Sequence, residues 1–128
     1  MRTPYVAEAW SDASDAGIPP ELFVRQIQQE SGFNPAAISP AGAIGIAQFM
    51  PATAAALGFD PHNPVVSLRM AALYMAQKQA SYHGDDAQAL AAYNAGDGAV
   101  QSAIARCGTR WLSCTPPETQ QYVAAIVG

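Results

Sequence analysis

One carboxylate stands out in the sequence because of its position on a predicted helix. Glu30 follows Ile27 by three residues and Phe23 by seven, and at 3.6 residues per turn these positions share a helix face. Ser31-Gly32 then ends the helix, since glycine is common just past a helix C-terminus. A carboxylate on an apolar face near the negative end of the helix dipole has two reasons to keep its proton. Glu30 is therefore a candidate general acid, although a single glutamate at a helix end is more commonly a surface residue.

The segment after this helix contains residues that favour turns. Ser39-Pro40-Ala41-Gly42 predicts a turn, because proline sets the bend and glycine relaxes it. Gly42 and Gly45 bracket a loop of small residues that leads to Gln48. Turn formation alone explains these glycines, and a functional interpretation adds close approach of the backbone to a ligand. Both interpretations can hold together.

A second polar residue lies just before a glycine break. Asn94 follows Leu90 by one helical turn and precedes Gly96 by two residues. An amide thus shares a helix face with an apolar residue. Taken alone, an asparagine at this position is most often a helix cap.

The rest of the pattern is helical, with no sustained strand alternation, repeat or linker. A short N-terminal helix is predicted over residues 1–17, and Pro19-Pro20-Glu21 opens the helix that carries Glu30. Later helices are opened by Pro51, Pro64, Asp85 or Asp86, Asp97, and Pro116-Pro117. In the last of these, Thr115 and Glu118 have the spacing of a capping box. The sequence predicts an all-α fold, with residues 1–128 forming a single domain.

Composition limits the kind of partner. The 128 residues carry a formal net charge of −4 with no cluster of lysine or arginine, which gives no support for nucleic acid binding. No apolar run approaches the roughly 18 residues that span a bilayer, and the N-terminus lacks the apolar core of a signal peptide. Cys107 and Cys114 could form a disulfide or remain two buried thiols, and two cysteines alone make a poor zinc site.

Four segments, in order, resemble the motifs of the soluble lytic transglycosylase (SLT) catalytic domain family. They are QESGFNP, SPAGAIGIAQFMPATAAALG, AAYNAGDGAV and PPETQQYVAAI, and the resemblance extends from about residue 20 to the C-terminus. Four motifs in the right order are far more specific than any one of them. The resemblance implies a lysozyme-like, mainly helical fold with a substrate cleft. It also implies peptidoglycan glycan strands as the partner. We expect a monomer with no metal and no cofactor.

The family implies that Glu30 is the single general acid and base. It would protonate the glycosidic oxygen between N-acetylmuramic acid and N-acetylglucosamine, while the substrate's own N-acetyl group stabilises the cationic centre. The ionised Glu30 would then take the proton of the muramoyl C6 hydroxyl, which closes to a 1,6-anhydro product without consuming water. The motifs further imply a set of substrate-binding residues: Ser31, Gln48, Phe49, Met50, Tyr93, Asn94 and Tyr122. Tyr122 would donate to Glu30, and core packing is the competing role for each aromatic residue.

Three other residues bear on this assignment. Glu118 is the rival carboxylate, but its predicted capping box gives it a structural task. Asp97 stands in a loop where the family often has proline, and Gln120 stands where it commonly has arginine. These departures leave substrate preference open, including whether Asp97 faces the cleft.

The sequence leaves two alternative functions open. One is a lysozyme-type hydrolase (a muramidase) on the same fold, in which water attacks instead of the C6 hydroxyl. The other is a non-catalytic cell-wall binding module. A substrate in the periplasm, cell wall or extracellular space, with no signal peptide, fits a domain of a larger secreted protein. It also fits a phage protein or a component of a secretion apparatus.

Overall fold

Helices dominate the computed structural model, which describes residues 3–128. Within this range no strand forms, and the only extended pairing is two isolated antiparallel bridges, Ile38 with Ile44 and Ile44 with Phe49. The predicted all-α fold is confirmed. The α-helices are α1 (Thr3–Ala16), α2 (Pro20–Ser31), α3 (Pro51–Leu57), α4 (Pro64–Ser81), α5 (Asp86–Ala95), α6 (Asp97–Cys107) and α7 (Pro117–Val127), and a 3₁₀ helix, Gly108–Cys114, lies between α6 and α7.

The chain divides into two compact units, Met1–Leu73 and Tyr74–Gly128, with the boundary inside α4. The first unit contains the predicted acid and the glycine-containing loop. The second contains the AAYNAGDGAV and PPETQQYVAAI segments. The assignment of residues 1–128 to one catalytic domain stays a prediction.

In the first unit, α1 packs against α2. Burial of Ala9 and Ala13 on α1, and of Phe23 and Ile27 on α2, places the apolar faces of both helices in the core. The predicted N-terminal helix over residues 1–17 is observed as α1, and residues 1 and 2 lie outside the described range. Gly32 ends α2 in the left-handed conformation (φ 64°), as predicted from the sequence.

Helix α4, with 18 residues, is the longest helix in the described part of the chain. Leu68, Ala71, Ala72 and Met75 recur at helical spacing and are buried. Asn63 caps the start of α4, because its side-chain oxygen accepts a hydrogen bond from the Val66 backbone N–H. Among the helices of residues 3–128, none combines the length and the apolar character needed to cross a membrane.

In the second unit, α5 packs against α6 and α7, and α6 packs against the 3₁₀ helix. Leu90, Val100, Val123 and Ile126 are buried among these elements. The disulfide alternative is correct for the two cysteines, since Cys107 at the end of α6 is bonded to Cys114 at the end of the 3₁₀ helix.

The predicted capping box at the start of α7 is wrong. Pro116 is the N-cap of this helix and offers no side-chain cap. The Thr115 hydroxyl instead donates to the Leu112 carbonyl oxygen at 2.7 Å. Because α7 starts at Pro117, Glu118 lies one position too early to pair with Thr115 across a capping box. Glu118 is an exposed residue in the first turn of α7.

Candidate functional site

Glu30 lies in the last turn of α2, where the sequence places it. Phe23 and Ile27, on the same helix face, are 1% and 0% exposed, and Glu30 is partly buried. Since α2 ends at Ser31, the carboxylate lies near the negative end of the helix dipole. The structure thus reproduces the two environmental features from which an acid role was predicted. The role itself stays a prediction.

Ser31 joins the end of α2 to the loop that follows. Its hydroxyl donates to the Ile46 carbonyl oxygen at 2.6 Å and accepts from the Asn34 backbone N–H at 3.2 Å. Ile46 is fully buried, so this hydrogen bond ties the residue after Glu30 to a fixed point of the loop. The structure therefore gives Ser31 a positioning task, and substrate contact by Ser31 stays a prediction.

Gln48 has a backbone conformation that is uncommon for a residue other than glycine, with φ 55°. Its side-chain amide nitrogen donates to the carbonyl oxygens of Ala37 (3.1 Å) and Gly45 (2.9 Å). Both amide hydrogens thus hold the loop, and the side-chain carbonyl is the group with which Gln48 can accept from a substrate hydroxyl or N–H. Sparsely populated backbone conformations concentrate at ligand-binding sites, which agrees with the predicted role.

The two hydrophobic residues after Gln48 differ in exposure. Phe49 is 3% exposed, and its ring meets the Phe59 ring edge-on with centroids 4.9 Å apart. Met50, the N-cap of α3, is 44% exposed. Core packing accounts for the position of Phe49, whereas Met50 presents a flexible apolar side chain to solvent.

In the second unit, Asn94 is held by a residue that sequence reasoning missed. The Thr119 hydroxyl on α7 donates to the side-chain carbonyl oxygen of Asn94 on α5 at 2.8 Å. Thr119 is 1% exposed, so the bond is shielded from water. With its carbonyl oxygen engaged, Asn94 has its amide N–H groups available to donate. Thr119 lies inside the PPETQQYVAAI segment, but nothing in the sequence indicates which residue it contacts.

Tyr93 and Tyr122 also lie in the second unit. Tyr93 on α5 is partly buried, and its ring meets the Tyr74 ring of α4 edge-on at 5.6 Å. Tyr122 on α7 is 5% exposed and lies one helical turn after Thr119. The predicted roles of both tyrosines in substrate binding are neither supported nor opposed by their burial.

Asp97 is the first residue of α6, which confirms the helix start predicted there and corrects the loop position also expected for it. Its two carboxylate oxygens accept from Lys78 at 2.6 Å and from the Tyr82 hydroxyl at 2.8 Å. Burial opposes ionisation of Asp97, but these hydrogen bonds and the Lys78 charge outweigh it and lower the pKa of the carboxyl below its ordinary value. Burial, followed by the hydrogen bond to Asp97, raises the pKa of Tyr82 to about 12. The ion pair thus stays charged around neutral pH.

The described residues hold no group of three or more histidine, cysteine, aspartate or glutamate side chains that could bind a metal ion. The chemical groups that Glu30, Gln48 and Asn94 supply are one carboxyl group and two side-chain amides.

A family model described as the transglycosylase SLT domain matches residues 8–111. This range includes Glu30, Gln48, Tyr93 and Asn94, and it ends before Tyr122.

Curated proteins with related sequences carry transglycosylase names. The chain is 35% identical over 137 residues to membrane-bound lytic murein transglycosylase D of Escherichia coli K12, covering 97% of this chain and 30% of that protein. It is 37% identical over 95 residues to peptidoglycan transglycosylase gp16 of Escherichia phage T7, covering 67% of this chain and 7% of that protein. The chain therefore spans less than a third of the length of either relative.

Among solved structures, the chain is similar to an inactive mutant of lytic transglycosylase Slt from Pseudomonas aeruginosa, in which a glutamate is replaced by glutamine. The TM-score is 0.81 at 28% identity, covering 94% of this chain and 22% of that one. The 70 kDa soluble lytic transglycosylase Slt70 of Escherichia coli matches with a TM-score of 0.77 at 26% identity, covering 86% of this chain and 21% of that one.

Proposed function

Because the chain belongs to the transglycosylase SLT domain family, we propose that it is a peptidoglycan lytic transglycosylase. Its substrate is the glycan strand, cut at the β-1,4 bond between N-acetylmuramic acid and N-acetylglucosamine. The observation that carries the proposal is the family match over residues 8–111, which contains the partly buried Glu30 in the last turn of α2. The chain covers only part of the length of its relatives, so the activity is proposed from the matched domain and not from a full-length comparison.

Glu30 acts twice in the proposed reaction. Its carboxyl proton moves to the glycosidic oxygen as the bond to the anomeric carbon breaks, and the N-acetylglucosamine chain leaves with a free hydroxyl. The resulting carboxylate then accepts the proton of the muramoyl C6 hydroxyl, whose oxygen bonds to the anomeric carbon. The proton count on Glu30 is restored, and the product is a 1,6-anhydro end. One partly buried carboxylate suffices for this sequence of steps without a cofactor, and the protein is proposed to act as a monomer.

The proposed binding groups have complementary hydrogen-bonding capacity. The Gln48 side-chain carbonyl can accept from sugar hydroxyl or acetamido N–H groups, and the Asn94 amide can donate to sugar oxygens. Met50 offers an exposed apolar surface to a sugar ring. Tyr93 and Tyr122 are also proposed to bind the glycan strand. Ser31 and Phe49 are proposed to contribute mainly by fixing the loop beside Glu30.

The place of action follows from the substrate. We propose that the protein acts on the cell wall, in the periplasm or outside the cell. The relatives include a protein named as membrane-bound and a phage T7 protein, so both bacterial and phage settings are compatible with the family.

Glu30→Gln tests the catalytic assignment, since glutamine keeps the shape but removes the proton donor. The matched control is Glu118→Gln, because Glu118 is an exposed glutamate outside the proposed machinery. We expect Glu30→Gln to bind purified sacculi but to lower the rate of turbidity loss by about 10²-fold or more. Glu118→Gln should clear sacculi at the wild-type rate. Near-wild-type clearance by folded Glu30→Gln would overturn the assignment. Sacculus binding without clearance by the wild-type protein would instead indicate a binding module.

A further inference from the structure

The corner between α5 and α6 is attached to α4 at two points. Tyr93, near the end of α5, meets the Tyr74 ring of α4 edge-on at 5.6 Å. Asp97, at the start of α6, accepts hydrogen bonds from Lys78 and Tyr82 of the α4 region. The corner therefore has an aromatic contact at one end and a charged contact at the other.

Lys78 links the two attachment points. Its ammonium group lies 2.6 Å from a carboxylate oxygen of Asp97 and 4.6 Å from the centroid of the Tyr74 ring. A cation over the face of tyrosine is attracted by the ring's negative π surface. The same ammonium group thus holds Asp97 through an ion pair and Tyr74 through its ring face. Tyr74 in turn packs against Tyr93, so a continuous chain of contacts runs from Asp97 through Lys78 and Tyr74 to Tyr93.

The exposure of the pair is unequal. The side chain of Lys78 is 9% exposed and that of Asp97 is 45% exposed. A buried ammonium group needs its partner, because an unpaired charge is poorly solvated away from water. The half-exposed Asp97, by contrast, does not fill the core, and an apolar residue at this position would not improve packing there. The arrangement suits a residue whose task is to hold Lys78 in place.

A glycine lies in the backbone between the two attachment points. Gly96 separates α5 from α6 with φ 91° and ψ 155°, a region that residues other than glycine rarely occupy. A glycine at this point does not fix the direction of the chain by itself. Together with the Thr119 hydrogen bond to Asn94, the side-chain contacts on either side of Gly96 hold this corner in place.

We propose that Lys78 and Asp97 are positioning residues that set the placement of Tyr93 and Asn94 for binding the glycan strand. Neither residue touches the reacting atoms. This inference rests on the proposed function, because it assigns Tyr93 and Asn94 to the same substrate. It also assigns a task to Asp97, which occupies a position where the family often has proline.

The test compares Lys78→Met and Asp97→Asn with Asp86→Asn, each also combined with Glu30→Gln. The matched control removes the charge of a carboxylate that accepts from Gln79, another polar contact between α4 and α5. We expect Lys78→Met and Asp97→Asn to lower kcat/KM on sacculi by about tenfold or more, since small displacements of substrate-positioning groups are costly. The double variant Lys78→Met/Asp97→Asn should lose little beyond either single variant, because both break one chain of contacts. Asp86→Asn should stay within about twofold of wild type.

The measurements are made well below each variant's Tm, with far-UV circular dichroism to show that the helices are intact. In the Glu30→Gln background, which cannot turn over, affinity for glycan fragments provides a readout without catalysis. We expect that affinity to fall with Lys78→Met and Asp97→Asn and to hold with Asp86→Asn. Unchanged affinity and kcat/KM in the Lys78 and Asp97 variants would overturn the positioning role. Losses of affinity and kcat/KM of the same size in Asp86→Asn would also overturn it.

Failure of the proposed function gives a different pattern. If the wild-type protein releases no 1,6-anhydro product, the transglycosylase proposal fails, and glycan affinity in the same variants still decides the positioning role. If neither wild type nor Glu30→Gln binds glycan, both proposals fail together.

Discussion

Gly45 lies where the loop after α2 approaches another stretch of backbone, and its replacement by alanine offers a quantitative test of that loop. Its φ is +82°, and a Cβ built there would lie 2.2 Å from the Pro61 carbonyl oxygen. The Pro61 oxygen belongs to the backbone, so the overlap cannot be relieved by the movement of a flexible side chain. Gly45 also donates to the Ala37 carbonyl oxygen at 2.8 Å and accepts from the Gln48 side chain at 2.9 Å.

The expected cost of Gly45→Ala has two parts. A residue with Cβ in the left-handed region costs about 1–2 kcal/mol. Relief of the overlap with Pro61 adds about 1–3 kcal/mol, the usual range for forcing extra atoms into a packed region. Gly42→Ala is the matched control, because Gly42 has a similar φ of +95° but no atom within 4 Å of a built Cβ. It should carry the conformational cost alone.

Urea denaturation of the two variants measures the free energy of unfolding. We expect Gly45→Ala to lose about 2–5 kcal/mol and Gly42→Ala about 1–2 kcal/mol relative to wild type. Gly45→Ala should also lose sacculus clearance, because the displaced backbone carries one of the two acceptors that hold Gln48. Equal losses in the two variants would refute the close approach of Gly45 to Pro61 as the cause.

Two further predictions concern other parts of the chain. Thr119→Val removes the hydrogen bond to Asn94, so we expect kcat/KM to fall about fivefold, equivalent to about 1 kcal/mol, whereas Thr119→Ser should retain activity. Equal losses in both would indicate a packing effect of Thr119. Burial, then the hydrogen bond and charge of Glu8, against the opposing charge of Arg69, raise the pKa of Asp12 from 3.8 to about 7. Because the folded-state pKa of Asp12 is above the unfolded value, its contribution to the free energy of unfolding is fully present below about pH 4. That contribution is lost as the pH rises through about 7. Asp12→Asn should therefore flatten the decline in unfolding free energy between about pH 4 and pH 7, which amounts to at most about 4 kcal/mol. An unchanged decline in this variant would show that other groups cause it.

The sequence was informative where local chemistry decides the structure. The end of α2 follows from the spacing of Phe23, Ile27 and Glu30 and from the glycine after Ser31, and each of these features acts within one or two helical turns. The start of α4 follows in the same way from Asn63 and the proline after it. The capping-box prediction was wrong because Pro116, and not Thr115, is the N-cap. The helix α7 therefore starts one residue later than a Thr115 cap would require.

The contacts missed by the sequence join residues that are far apart in the chain. Thr119 and Asn94 are 25 residues apart, and Lys78 and Asp97 are 19 apart. Helical periodicity identifies a buried face but does not indicate which residue of another helix will oppose it. Asp97 illustrates the limit, since the start of α6 was predicted but its partners, Lys78 and Tyr82, depend on how α6 packs within the second unit.

Mass spectrometry of the muropeptides released from purified sacculi tests the proposed activity most directly. We expect products with 1,6-anhydro ends, lighter by one water than the corresponding hydrolysis products, and their loss with Glu30→Gln. Reducing ends of full hydrated mass would contradict the transglycosylase reaction and identify the protein as a hydrolase on the same fold.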